Sequence, residues 1–439
     1  MNYRDLDEKF INMLKDNPSK YLKDYLLAEE KVSRSTAIYK GEPVPFLLHP
    51  MMWTREDVDA FEKISKRITG ITDKITDRYF KDSDYRKVFG YSEDAERLIL
   101  RKKGYERNVP IGRFDIFYES PENFYFCEIN TDGSSAMNED NTIGRILTES
   151  EAFKDFSKDF KLTGFELIES WVDKLLYFYK EWGGKGKPNV AILDFKTSAT
   201  SSEFQVFKES IEARGFNCEI VDPVDTEYRD GGLYYGNYKI DLVYRRLVTF
   251  ELLERIDEIG EFINAYMDNV FCSVGEVRSQ IMHNKESFRV IRKEETMSFL
   301  DEEERDFVLN HFPETERLTR DEGLIKKLIG EKDNYVLKPS DKNASQGVFI
   351  GKDTKKEDWE RAVREGEEYI YQGFITPVRR NHGVLENGRL EVASLGYIVG
   401  LFIYDGAFQG IYTRVSHNDL ISGITDYYTL PNFLVEEKR

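Results

Sequence analysis

The chain has 439 residues, with 63 Lys and Arg against 81 Asp and Glu, a formal charge of −18. So acidic a surface argues against a nucleic-acid backbone or an anionic membrane as a general partner. With 40% apolar and 14% aromatic residues, the chain is globular rather than disordered, and its length predicts two or three packed domains.

Residues 1–90 read as a helical region, because Phe10, Met13, Leu14, Leu22, Tyr25 and Leu26 fall at helical spacings. No chemistry is visible there. The charged start, Met1 to Glu8, lacks the apolar core of a signal peptide, and no apolar run approaches the ~18 residues of a membrane span. Cys127, Cys218 and Cys272 are scattered without a Cys-x-x-Cys pair, so neither a disulfide framework nor a zinc knuckle is expected, and a cytoplasmic location fits. The densest basic run, Arg101 to Arg107, reads as solvated surface.

Residues 91–186 contain two alternating runs over 111–130, split by Ser120-Pro121-Glu122-Asn123, a strand-turn-strand pattern. An amphipathic helix is predicted over 151–182. The joint Gly183-Gly184-Lys185-Gly186-Lys187-Pro188 then opens a Rossmann-like α/β domain, 187–275. Strands are expected at 189–193, 217–221 and 241–244 around a helix at 201–214, without the Gly-x-Gly-x-x-Gly turn of a dinucleotide site. In residues 276–439, helices give way to strands near 335–338, 348–351 and 369–374. A long hairpin over 390–414 turns at Tyr404-Asp405-Gly406-Ala407. The fold class is therefore α+β and α/β, in several domains.

If the 111–130 hairpin pairs symmetrically, Asp115 faces Glu128 and Arg113 faces Asn130 on one sheet face, while Phe114, Ile116, Cys127 and Ile129 fill the other. Two carboxylates ~5 Å apart repel by about 3 kcal/mol at an effective dielectric near 20, so the pair calls for a cation. Hard oxygen donors without His or Cys favour Mg²⁺, with phosphates completing its shell. A hairpin carrying an ordinary surface ion pair with Arg113 is the plainer alternative. The following Thr131-Asp132-Gly133-Ser134-Ser135 suits a loop touching an anion, or a simple solvated turn.

Lys338 ends a predicted strand and can hold a phosphate as a point charge. The loop after it, through Ser345, Gln346 and Gly347, can close over the other phosphates, although a polar hairpin turn would look the same. No Walker pattern is present. Tyr369 to Ile375 reads as a strand entering a joint between lobes, where main-chain groups could read an adenine edge, and Arg414 ends the last hairpin.

Together, Gly112-Arg113-Phe114-Asp115, Cys127-Glu128-Ile129-Asn130-Thr131-Asp132, Asn284-Lys285, Leu337-Lys338-Pro339 and Arg414 resemble the synthetase domain of glutathionylspermidine synthases and other circularly permuted ATP-grasp proteins. The likeness spans roughly residues 90–439, with the acidic strands preceding the lysine and lid. It implies Asp115, Glu128 and Asn130 as Mg²⁺ ligands and Arg113 as a residue stabilising the reacting phosphoryl group. It also implies Lys285 and Lys338 as nucleotide-phosphate lysines, Gln372 in an adenine-facing strand, and Arg414 near the phosphoryl group or acyl phosphate. By the same likeness, residues 91–186 and 276–439 supply the metal and nucleotide portions of the core. Two features depart from the family. The lid reads Asn343-Ala344-Ser345-Gln346-Gly347, with few glycines, and no cysteine precedes Cys127, so no amidase activity is expected.

The resemblance implies an ATP- and Mg²⁺-dependent ligase joining a small-molecule carboxylate to an amine through an acyl phosphate. A small-molecule kinase and a nucleotide-binding protein without turnover are the alternatives. The sequence assigns neither substrates nor an oligomeric state.

Overall fold

The computed structural model describes residues 2–197, 200–342, 346–386, 388–423 and 425–438. At its centre lies a six-stranded antiparallel sheet, in the order Tyr428–Leu430, Ala407–Ser416, Arg389–Tyr404, Ile111–Tyr118 and Phe124–Asn130, with Arg379–Glu386 also paired to Arg389–Tyr404. Segments nearly 300 residues apart in sequence thus share one sheet. The long hairpin turns at Asp405 (φ 52°) and Gly406 (φ 80°), the left-handed pair that a two-residue primed turn requires.

What decides the functional face of this sheet is the helix Arg55–Lys81. A capping box between Thr54 and Asp57 starts it. Its buried stripe, including Phe61, Ile64 and Ile68, belongs to the same core as Phe114, Ile116, Ile129, Val399, Leu401, Ile403, Ile411 and Val415. Strand alternation then leaves Arg113, Asp115, Glu128 and Asn130 on the opposite face.

The expected strands form at Asn189–Leu193, Asn217–Val221 and Leu242–Arg245, with the helix Ser201–Ala213 between the first two. Cys272–Val274 adds a fourth parallel strand beside Leu242–Arg245. A separate antiparallel sheet, Thr315–Arg317, Tyr369–Gly373, Tyr335–Pro339 and Phe349–Ile350, has its own small core of Ile325, Leu328, Leu337, Trp359 and Val363. Leu337 points into that core, so its neighbour Lys338 must point out of it.

Three expectations are corrected. Residues 151–182 are not one helix: Glu151–Phe156 and Glu169–Glu181 flank the strand Phe160–Gly164. That strand pairs with Asn432–Glu437, a partner that local periodicity cannot reveal. Residues 1–90 are not purely helical, since Ile38–Tyr39, Glu42–Pro43 and Met51–Trp53 are strands. Finally, the acidic hairpin keeps the expected register from Arg113↔Asn130 to Asp115↔Glu128, then shifts so that Ile116 meets Phe126. Cys127 is the extra residue of that bulge. It lines a cavity with Glu128 and Lys338 instead of filling the apolar face. Among the described residues no helix is long and apolar enough to cross a membrane.

Candidate active site

The hairpin brings the four predicted residues together. Arg113 grips Asp115 with both arms, Nε donating to Oδ1 at 2.7 Å and Nη2 to Oδ2 at 2.9 Å, while Nη1 donates to the carbonyl of Ser135 at 2.9 Å. The Asn130 amide lies 3.1 Å from Asp115 Oδ2 and 3.5 Å from Glu128 Oε2, so the three side chains converge. Lys285 Nζ stands 3.1 Å from Glu128 Oε1. Each carboxylate therefore faces a cation of its own, which answers the repulsion expected of the pair.

Their environments push the two carboxyls apart. Burial raises Asp115 above its ordinary range, with Arg113 opposing it only in part. Burial also acts to raise Glu128, but Lys285 and Lys338 outweigh it and bring the group from 4.5 down to about 2. Because the folded value is the lower one, the pair's stabilisation is fully present above pH 4.5 and is lost as pH falls through about 2. Glu128→Gln should therefore flatten this limb of an acid-unfolding curve followed by circular dichroism. An unchanged limb would mean that the ion pair contributes nothing.

The small sheet supplies a further cation. Lys338 Nζ donates to the Cys127 carbonyl at 3.0 Å and to Gln372 Oε1 at 2.8 Å, and burial lowers its pKa. Gln372 is held in turn by its Nε2, which donates to Thr315 Oγ1 at 2.9 Å. Lys285 reaches the base of the loop, its Nζ donating to the Lys342 carbonyl at 2.8 Å. Around Lys338 lies an apolar slot of about 100 Å³ walled by Phe117, Val336, Ile350 and Phe374.

A second, polar cavity of about 320 Å³ adjoins it, sharing Glu128 and lined by Arg113, Asp115, Asn130, Gln346 and Arg414. Arg414 Nε donates to Tyr412 Oη at 3.0 Å, and both Arg414 (5.1 Å) and Arg113 (5.3 Å) lie over the Tyr412 ring. Tyr412 Oη donates to Glu139 at 2.5 Å. Gly347 has φ +72°, and Ser345 lies outside the described residues. Among the described residues no group of three or more His, Cys, Asp or Glu side chains is placed to hold a metal. Asp115 and Glu128 bring two carboxylates together, and the Asn130 group that faces them is its Nδ2.

No protein-family model and no curated protein sequence matches this chain. Among solved structures, it is similar to the glutathione synthetase like-effector GSS30 from Globodera pallida in apo form, with a TM-score of 0.60 at 11% identity, over 95% of this chain and 98% of that one. The fold is glutathione synthetase-like. At that identity the likeness concerns architecture, and the chemistry rests on the side chains.

Several residues around the site carry no signal that singles them out in the sequence. Tyr39 and Lys40, from the tight N-terminal hairpin, line the polar cavity. Tyr412 sits two residues before Arg414 in one strand, so alternation alone could have placed it on the same face. Glu139, in the helix Met137–Thr148, carries no such signal. In the 131–135 loop, Asp132 pairs with the buried Arg245 and accepts from the Thr249 backbone N–H at 2.6 Å, so it anchors the loop to the parallel sheet. Arg246 likewise serves an ion pair, 2.7 Å from Glu203.

Proposed function

We propose that this chain is a circularly permuted ATP-grasp ligase, which uses ATP and Mg²⁺ to join a small-molecule carboxylate to an amine through an acyl phosphate. The observation that carries the proposal is the meeting of Asp115, Glu128 and Asn130 from one hairpin with Lys285 and Lys338 from two other segments, at the border of an apolar slot and a polar cavity. In this reading residues 91–186 and 276–439 are two portions of one core, held together by the central sheet.

The slot walled by Val336, Ile350 and Phe374 suits a planar base, with Gln372 beside it. Lys338 and Lys285, which here hold the carbonyls of Cys127 and Lys342, would take up nucleotide phosphates in place of those carbonyls. Asp115, Glu128 and the Asn130 amide oxygen would hold Mg²⁺, which neutralises phosphate charge when bound. Arg113 and Arg414, spaced by the shared Tyr412 ring, orient a carboxylate against the γ-phosphate and stabilise the charge that develops there. The carboxylate oxygen attacks the γ-phosphorus and ADP leaves. The amine nitrogen then attacks the activated carbonyl carbon, and the carbon–oxygen bond to phosphate breaks.

The test is a pairwise screen of amino acids, short peptides and polyamines, following ADP and free phosphate together. A ligase releases both in equal amount only when acid and amine are both present. ADP without free phosphate would identify a kinase, and tight nucleotide binding with no ADP in any mixture would overturn catalysis altogether.

A further inference from the structure

We infer that Gly400 is a positioning residue of this site, its missing side chain forming the slot in which Arg113 lies to hold Asp115. The inference rests on the ligase reading for its meaning and on packing for its support. In the central sheet Gly400 is the direct partner of Asp115 on one side and of Tyr412 on the other. The row across the functional face is therefore Tyr412, Gly400, Asp115 and Glu128. Direct cross-strand partners stand with their side chains abreast, so any side chain at 400 would rise between the Tyr412 ring and the Asp115 carboxylate.

Arg113 occupies that gap. A Cβ built on Gly400 would lie 2.8 Å from Arg113 Cδ, 2.9 Å from Arg113 Cγ and 2.8 Å from Asp115 Oδ1. These atoms have no free direction in which to yield. The guanidinium is fixed by both Asp115 oxygens and by the Ser135 carbonyl, and it lies 5.3 Å from the centre of the Tyr412 ring. Gly400 is not among the residues with positive φ, so backbone freedom is not what the position demands. It demands empty space. Gly396, on the same strand and the same face, provides an internal control, since a Cβ there would meet Pro377, Ile421 and Ser416 only at 3.4–3.7 Å.

A methyl group at 400 must displace the Arg113–Asp115 pair, and with it an Mg²⁺ ligand and a phosphoryl-stabilising cation. The experiment compares Gly400→Ala with Gly396→Ala, using binding of a fluorescent non-hydrolysable ATP analogue with and without Mg²⁺. Gly400→Ala should lose on the order of tenfold of the Mg²⁺-dependent gain in binding, as expected when the group that orients a metal ligand is displaced. Gly396→Ala should match the native chain in both conditions. Equal behaviour of the two variants would overturn the inference. If the native chain shows no Mg²⁺-dependent gain, it is the ligase reading that fails. A crystal structure of Gly400→Ala then decides the packing claim: a broken Arg113–Asp115 pair supports it, and contacts still at 2.7 and 2.9 Å overturn it.

Discussion

Asp115→Asn should depress ADP-forming turnover by about two to three orders of magnitude, the usual cost of removing one charged group that acts on a developing phosphoryl charge. The substitution keeps the shape of the side chain and removes its charge, so it acts on two partners at once. It weakens the proposed metal set with Glu128 and Asn130, and it leaves Arg113 with two good acceptors where it had three. The freed guanidinium stays buried, which predicts a stability loss of about 1–3 kcal/mol, too little to unfold a chain of this size. Turnover and thermal melting measured on the same preparation separate the two effects. Full turnover at saturating ATP and Mg²⁺ would remove Asp115 from the mechanism.

The largest effect on stability is expected at Arg245. Its side chain and that of Asp132 are both 0% exposed. Arg245 reaches the carbonyls of Gly275 and Leu247 as well as Asp132, and Asp132 also caps the Thr249 backbone N–H at 2.6 Å. Arg245→Ala leaves a buried carboxylate without its cation, a change worth about 3–5 kcal/mol. Arg245→Lys should recover only part of this, because a single ammonium cannot reproduce the planar fork. Chemical denaturation gives the measurement, and an alanine variant within about 1 kcal/mol of the native chain would refute the clasp. Since Asp132 lies two residues after Asn130, a folded Arg245 variant should also bind metal–nucleotide more weakly.

Much of this was legible in the sequence because it is local. The 111–130 hairpin announces itself by alternation and a four-residue turn, and its register follows from symmetry about that turn as far as Glu128. Cys127 escaped because a bulge depends on what each strand packs against, here the helix Arg55–Lys81 on one face and Lys338 on the other. The strand Phe160–Gly164 escaped for a related reason, its partner lying some 270 residues later. The Lys338 strand could be read from its apolar-then-basic ending, whereas its docking on the Cys127 carbonyl belongs to tertiary structure alone. Arg245 and Arg246 are adjacent in sequence, yet they have different partners. Arg245, the last residue of its strand, meets Asp132, and Arg246, just beyond the strand's end, meets Glu203.

The carbonyls held by Lys338 and Lys285 bear on selectivity among anions. Each ammonium is already satisfied within the protein, one by the bulge of the acidic hairpin and the other by the root of the neighbouring loop. A lone orthophosphate arriving at either lysine trades one oxygen for another and gains little. In the proposed function, a polyphosphate long enough to engage both at once would replace two internal contacts in a single event, which would shield the site from abundant small anions while leaving it open to the longer one.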